Sequence, residues 1–513
     1  MGVGMKKWLS IIMLSLVAVG GQGQMANTEN YDILIKNGTV IDGTGAPGFK
    51  ADVLVKGESI LLISNTHTAS IFAQRTIDAT GQVVTPGFID NHAHGNPLAT
   101  PEFKNFSAMG VTTIFLGQDG DSPENISEWM NQVEAKNTTI NIGTYVGHGA
   151  VRNQAGVKLD PKPSYWDRRK MAAQVQMAME AGCFGLSTGL EYQPGSFSKL
   201  NELIALAKPV GKRGGLVSSH TRNEDDEAVQ NSIAELINQG RGSGCAVNIS
   251  HLKVVYGQGA NRAEAILNQM EEARKQGIVI TADMYPYLAS YTGIGIVFPD
   301  WAKPPNNYTE IVASRRDELA DYLRNRIQRR NGPEATLFGT APWAGKTLAQ
   351  VAIELNKPFE DVLIDDIGPR GASGAYFVMN QELQDRLFLD PNIMAGSDGS
   401  PTMRHPRGYG SFAKVIRYYV NEKHLLSLEE AVHKMSGLPA KTVGLIDQKR
   451  GLLKAGFAAD ILVFDPDSVL DVATFERPHE LAQGFEWVIV NGDIIRGESE
   501  FTGKHPGKML RKQ

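Results

Sequence analysis

Cysteine is almost missing from this chain: Cys183 and Cys245 are the only two in 513 residues. A disulfide framework is therefore excluded as the source of stability, and the fold must rest on a buried core. A 183–245 bridge is itself disfavoured, because both cysteines sit in segments that read as core elements. Charge of one sign is lacking too. The net charge is −5, with no basic run and no RRM-like or finger-like pattern, so nucleic acid is not an expected partner. No glycine-rich phosphate fingerprint opens a helix, which disfavours a doubly wound nucleotide-binding fold. The chain also has no apolar run of the roughly 20 residues that a spanning helix needs.

The longest apolar run is WLSIIMLSLVAVG, 13 residues preceded by Lys6 and Lys7 and followed by GGQGQ. A basic head, a short apolar core and small residues beyond it describe a secretory signal peptide, assigned to 1–24. Its removal leaves 49 basic against 56 acidic residues. No cysteine follows the apolar core, so a lipoprotein is disfavoured. The expected location is secreted, in a bacterial periplasm, with no stable membrane insertion.

Two distant segments are alike. YDILIKNGTVIDG at 31–43 and FEWVIVNGDIIRG at 485–497 are β-runs interrupted by Asn-Gly, a hairpin signal. With ADVLVKGESILLIS and AADILVFDP they predict a small β-sandwich built from both chain ends, 25–85 and 449–513. The interior, 86–448, alternates short apolar strands (VVTPGFID, TTIFLG, INIGTYVG, FGLST, GLVSSH, AVNISH, VITADMYPY, IMAGSD) with amphipathic helices. Eight such β-runs predict an α/β fold, a (β/α)8 TIM-like barrel. The gap from Asp283 to Asp398 exceeds a normal βα unit, so a lid-like insertion is expected at about 291–380.

Barrel enzymes place their chemistry at the C-terminal strand ends. There stand His92 and His94 of NHAH, His220, His251 and Asp398. Residues two apart on a strand share a face, so His92 and His94 should project together. Taken singly, each is more often an ordinary satisfied polar residue than a ligand. As a set, four imidazoles and a carboxylate suit one or two zinc-like cations. Lys253 follows His251 by two residues, and a cation there could hold a substrate carboxylate.

This constellation resembles the amidohydrolase superfamily, and more narrowly the D-aminoacylase (N-acyl-D-amino-acid deacylase) family. The likeness is carried by PGFIDNHAH, GVTTIFLGQDG, VGHGAVR, GLSTGLEYQPG, SHTRNE, ISHLK, DMYPY, GSDGSP, HPRGYGSF and MSGLPAKTVGL. It implies that His92 and His94 hold a weaker metal position and His220 and His251 a tighter one. Asp398 would be the general base, shuttling a proton from water to the leaving amine. The resemblance maps Lys253 and Arg407 onto a carboxylate-binding pair, with Tyr285 and Ser290 nearby and Tyr192 shaping the pocket. His148 is expected to shape the site from behind, and Arg222 to tie down its loop. The implied metal is Zn²⁺, as one or two ions, with Co²⁺ or Mn²⁺ alternatives.

The chain departs from the family where relatives carry a metal-binding cysteine in GNCG. Here the stretch is GQDG, with Asp119 in the thiol's place. A carboxylate can bridge two cations but is a harder donor than thiolate. Asp119 is favoured as the bridge; Glu191, after the fourth strand, is the alternative, and Asp121 reads as a loop cap. The expected activity is metal-dependent hydrolysis of a linear amide in N-acyl-D-amino acids or peptides ending in a D-residue. A cyclic amidase of the hydantoinase or dihydroorotase kind is the rival enzyme reading. A non-catalytic metal-binding barrel is the rival from another class.

Overall fold

The computed structural model describes residues 31–65 and 71–513, so the expected signal segment and His67 lie outside it. Eight strand positions run parallel in chain order: Phe88–Asp90, Val111–Leu116, Asn141–Thr144 continued by Val146–Gly147, Gly185–Gly189, Leu216–His220, Ala246–Ile249, Ile280–Met284 and Ile393–Ala395. The ring closes where Ala93 bridges Gly399. Beside that bridge the Asp398 amide donates to the His92 carbonyl at 2.8 Å. These strands are buried on both faces, as parallel strands covered by helices must be.

The helices form for local reasons. Tyr165–Ala181 starts at a capping box between Ser164 and Asp167 and ends at the left-handed Gly182. Its buried Met171, Val175, Ala178 and Met179 follow the helical period and face the barrel. Both cysteines are buried and free.

Both chain ends supply one nine-stranded sheet, and Ile33, Ile35, Val53, Val55, Ile461, Val463 and Ile489 share its core. The run VVTPGFID, expected as one strand, is two. Val83–Pro86 pairs inside this sheet, whereas Phe88–Asp90 pairs with the second barrel strand. Gly87 separates them, and a Cβ there would stand 2.2 Å from Thr112 Oγ1.

The two Asn-Gly pairs also diverge. Asn491-Gly492, both at positive φ, turns a hairpin between Phe485–Val490 and Asp493–Gly497. Asn37-Gly38 does not turn the chain: Tyr31–Val40 is a single strand with a bulge there. The expectation of a hairpin at 31–43 is corrected by its neighbours. Asn37 donates its backbone N–H to Asp52 and its side-chain amide to Asp78, both at 2.9 Å, which holds the extra residue in the ladder.

After the seventh barrel strand the chain builds a three-stranded antiparallel sheet from Ser290–Gly293, Thr336–Phe338 and Ser373–Tyr376. The long helix Tyr308–Arg329 packs on it around a separate core that includes Ile294, Leu319, Leu323 and Phe338. This unit stands at the mouth of the barrel, because Ser290, Tyr291 and Thr292 line the same cavity as the strand-end histidines.

Candidate metal centre and substrate cavity

His92, His94, Asp119 and Asp398 form one group of ligand atoms, and Asp119, His220 and His251 form a second. Asp119 belongs to both. Its Oδ1 lies 3.5 Å from His92 Nε2, 3.5 Å from His251 Nε2 and 3.8 Å from His220 Nδ1. Its Oδ2 lies 3.3 Å from His94 Nε2. Asp398 Oδ1 stands 3.2 Å from His94 Nε2 and 3.7 Å from His92 Nε2.

Several of these buried atoms converge without bonding. His92 Nε2, His220 Nδ1 and Asp119 Oδ1 have no hydrogen-bond partner. A buried polar atom without a partner costs on the order of 1–3 kcal/mol, so such convergence calls for a ligand. The donor set, imidazole nitrogens and carboxylate oxygens, fits a zinc-like cation.

The backbone is bent to make this possible. Asp119, His251 and Asp398 all have positive φ, at 55°, 36° and 47°. Left-handed conformations are costly for side-chain-bearing residues and concentrate at functional sites. Gly117 permits the turn before Asp119: at φ +75° its Cβ would fall 2.2 Å from the Tyr145 carbonyl oxygen. The amides of Gly149 and Ala150, at the start of the helix His148–Ala155, donate to the Gly120 carbonyl and hold the loop from below.

Three of the four imidazoles, those of His92, His220 and His251, have a carboxylate on the other ring nitrogen. His92 Nδ1 faces Asp283 at 3.3 Å, His220 Nε2 faces Glu191 at 3.0 Å, and His251 Nδ1 faces Glu224 at 3.2 Å. Such partners fix ring orientation and raise ligand basicity. Glu191, weighed as an alternative bridge, thus sits on the far side of the His220 ring from Asp119. Asp283 and Glu224 were missed from sequence. Strand alternation could have found Asp283, which shares an inward face with Thr281. Glu224 lies in a loop with no such signal.

The field of the cluster demands positive charge. Burial would lower His94, yet its hydrogen bonds to Asp119 and Asp398 carry it to about 9. Burial would likewise raise Asp119, but His92, His251 and His94 hold it well below the usual carboxylate range. Asp398 behaves the same way, with Arg407 outweighing its burial first, then His251 and His94.

Above the ligands lies a cavity of about 180 Å³. Arg407 is buried in its wall, with Nη1 2.8 Å from Asp398 Oδ2 and its guanidinium 4.6 Å above the Tyr285 ring. Arg407 Nε and the Tyr285 hydroxyl are both without partners. Lys253 also lines the cavity, but its Nζ contacts Glu224 Oε1 at 2.6 Å and His251 Nδ1 at 2.8 Å. Lys253 reaches this cavity from a loop rather than along a strand, because the strand ends at Ile249 and the backbone turns at His251.

Ser290 lines the cavity, and the Tyr192 ring lies 4.5 Å from His220. Thr292 Oγ1 donates to the Tyr192 hydroxyl at 3.0 Å. Past Tyr192, Thr292 and Ile296, which line both spaces, a cleft of about 1160 Å³ opens. His405, also missed from sequence, accepts the Arg407 amide at 3.0 Å and contacts the Ala289 carbonyl, linking the arginine to the insertion.

Other flagged residues stand apart. His148 pairs with Glu202 at 2.8 Å, and Arg152 grips the same carboxylate at 2.7 Å. Arg222 binds Glu235 and donates to the carbonyls of Ser196 and Ser198, fastening the loop after the fourth strand. A further group of ligand atoms joins Glu191, His220 and Glu224, and Asp121 belongs to none of the three.

Comparison with known proteins agrees with this geometry. Residues 75–277 and 350–496 match the amidohydrolase family. The chain is 34% identical to N-acyl-D-glutamate deacylase of Alcaligenes xylosoxydans xylosoxydans, covering 94% of this chain and 97% of that one. It is 31% identical to D-aminoacylase of the same organism, covering 95% and 99%. Among solved structures, it superimposes with a TM-score of 0.81 on N-acyl-D-glutamate deacylase from Bordetella bronchiseptica, at 32% identity over 94% of this chain and all of the other. That protein was captured with zinc and a phosphonate mimic of its tetrahedral intermediate. A D-aminoacylase described as having a binuclear metal centre superimposes at 0.80, with 30% identity over 94% of this chain and all of the other.

Proposed function

This chain belongs to the amidohydrolase family, in its D-aminoacylase branch, and on that premise we propose that it hydrolyses the linear amide of N-acyl-D-amino acids or of peptides ending in a D-residue. The carrying observation is the convergence of four imidazoles on the Asp119 carboxylate, three of them on its unpaired Oδ1, with Asp398 and Arg407 paired beside them.

His92, His94, Asp119 and Asp398 would hold one cation; His220 and His251, with Asp119 shared, would hold the other. Bound Zn²⁺, or Co²⁺ or Mn²⁺ in its place, acidifies water and polarises a carbonyl. Asp398 takes the proton of the attacking water and returns it to the departing amine nitrogen, serving both half-reactions as base and then acid. Arg407, in the cavity wall, receives the substrate carboxylate, with Tyr285 beside its guanidinium and the Lys253 charge on the same wall. Asp283, Glu191 and Glu224 fix the tautomers of the rings they face. Lys253 and Arg407 in the cavity wall, which can pair with a free substrate carboxylate, favour a linear substrate over a cyclic amide.

The N-terminal basic head and apolar core support export to a periplasm, where wall-derived peptides ending in D-residues are available substrates. Among the described residues no helix is long and apolar enough to cross a membrane.

Metal-loaded protein assayed against paired N-acetyl-D- and N-acetyl-L-amino acids, alongside L-D dipeptides, tests the reading. Turnover of the D series is expected. Turnover confined to the N-acetyl-L series contradicts it.

A further inference from the structure

The charges around the cavity bear on the side chain of the substrate, a point that rests on the deacylase reading above. Beyond the strand-end histidines, the cations among the described residues lining the cavity are Lys253 and Arg407. Both are committed. Lys253 is paired with Glu224 at 2.6 Å, and Arg407 with Asp398 at 2.8 Å. The substrate's own carboxylate draws on what remains of their charge.

The rest of the wall is neutral: Ile296, Met403, Tyr291, Thr292 and Tyr192. Its hydroxyls are matched to one another and to the insertion, Thr292 to Tyr192 at 3.0 Å and Tyr291 to Ser373 at 3.1 Å. In the adjoining cleft, Arg222 is taken by Glu235 at 2.8 Å and Lys303 by Asp300 at 2.9 Å. A second substrate carboxylate would meet a wall of neutral side chains, the lining cations Lys253 and Arg407 being already paired. Burying a charge without a partner is strongly unfavourable.

We propose that this enzyme selects D-residues with neutral side chains, seated against Ile296 and Met403, and discriminates against N-acyl-D-glutamate and N-acyl-D-aspartate, although N-acyl-D-glutamate deacylases are among its relatives. An apolar pocket rejects even an added hydroxyl by about 100-fold, and an unpaired buried charge is costlier to accommodate than a hydroxyl.

The test is kcat/KM of the zinc-loaded full enzyme for N-acetyl-D-methionine, N-acetyl-D-leucine, N-acetyl-D-glutamate and N-acetyl-D-aspartate. The neutral pair should exceed the acidic pair by about 100-fold. In M403K, and separately in I296R, the ratio of N-acetyl-D-glutamate to N-acetyl-D-methionine should rise at least roughly tenfold, because each supplies the missing cation. Equal or better use of the acidic substrates by the unaltered enzyme overturns the selectivity while leaving the deacylase reading intact. Absence of turnover with all four overturns that reading, and this inference with it.

Discussion

Two buried ionic clusters sit near the top of this barrel, and they are built differently. In the first, Glu202 receives His148 and both contacts of Arg152 Nη1, and Arg152 spends its remaining donors on the carbonyls of Lys158 and Asp160. In the second, His92, His220 and Asp119 point atoms at a common space and leave them unpaired. The first cluster holds the helix His148–Ala155, whose leading amides support the Asp119 loop. The first cluster pairs its charges with one another and leaves His148 Nδ1 alone without a partner, whereas convergence of several open atoms on one space is what a ligand site requires.

Substitutions sharpen that contrast. The largest effect is expected from Asp398→Asn. It should lower kcat by about 10²–10⁴-fold, the usual contribution of a general acid–base group. Metal content by atomic spectrometry should stay near that of the parent, because Asn keeps an oxygen donor. Unchanged hydrolysis would remove Asp398 from the base role.

Next comes Glu224→Gln, which leaves the His251 Nδ1 and Lys253 Nζ without their shared anion. Loss of such an outer partner costs roughly 10–100-fold in metal affinity or activity. Competition with a chelator of known affinity would read it. Glu191→Gln should act the same way through His220 Nε2.

The closed cluster should answer in stability instead. Glu202→Gln breaks a buried ion pair and should cost about 3 kcal/mol, with little change in kcat at temperatures where the variant is folded. It should also alter the acid limb of stability. Burial would raise Glu202, but His148 and then Arg152 outweigh it and leave it below its ordinary value. A carboxylate lowered on folding stabilises at pH above its unfolded value, about 4.3, and that stabilisation fades as pH falls through the folded value. Denaturant melts between pH 7 and 3 should therefore show the parent and E202Q drawing together as acid is added.

The same contrast explains how much was legible beforehand. Strand and helix periods in the interior reveal a barrel, and the strand-end positions of His92, His94, His220, His251 and Asp398 are enough to expect convergence. The short-range signals fared unevenly. Asn491-Gly492 makes a turn, and Asn37-Gly38 makes a bulge, because Asp52 and Asp78, distant in sequence, bind Asn37. VVTPGFID reads as one strand because both halves are apolar; only the facing Thr112 explains why Gly87 divides it. Glu224 and His405 act through partners that loop geometry brings near, and no spacing encodes that. Lys253 lines the cavity from a loop rather than a strand, with its Nζ on His251 Nδ1 once the strand has ended.

The central claim is that Asp119, shared by the two ligand groups, ties them into one metal centre. The most direct measurement is zinc stoichiometry after equilibrium dialysis of D119A beside E191A and the parent. Loss of bound metal in D119A, with E191A retaining the parent's stoichiometry at saturating zinc, is the predicted result. Unchanged stoichiometry in D119A would contradict it.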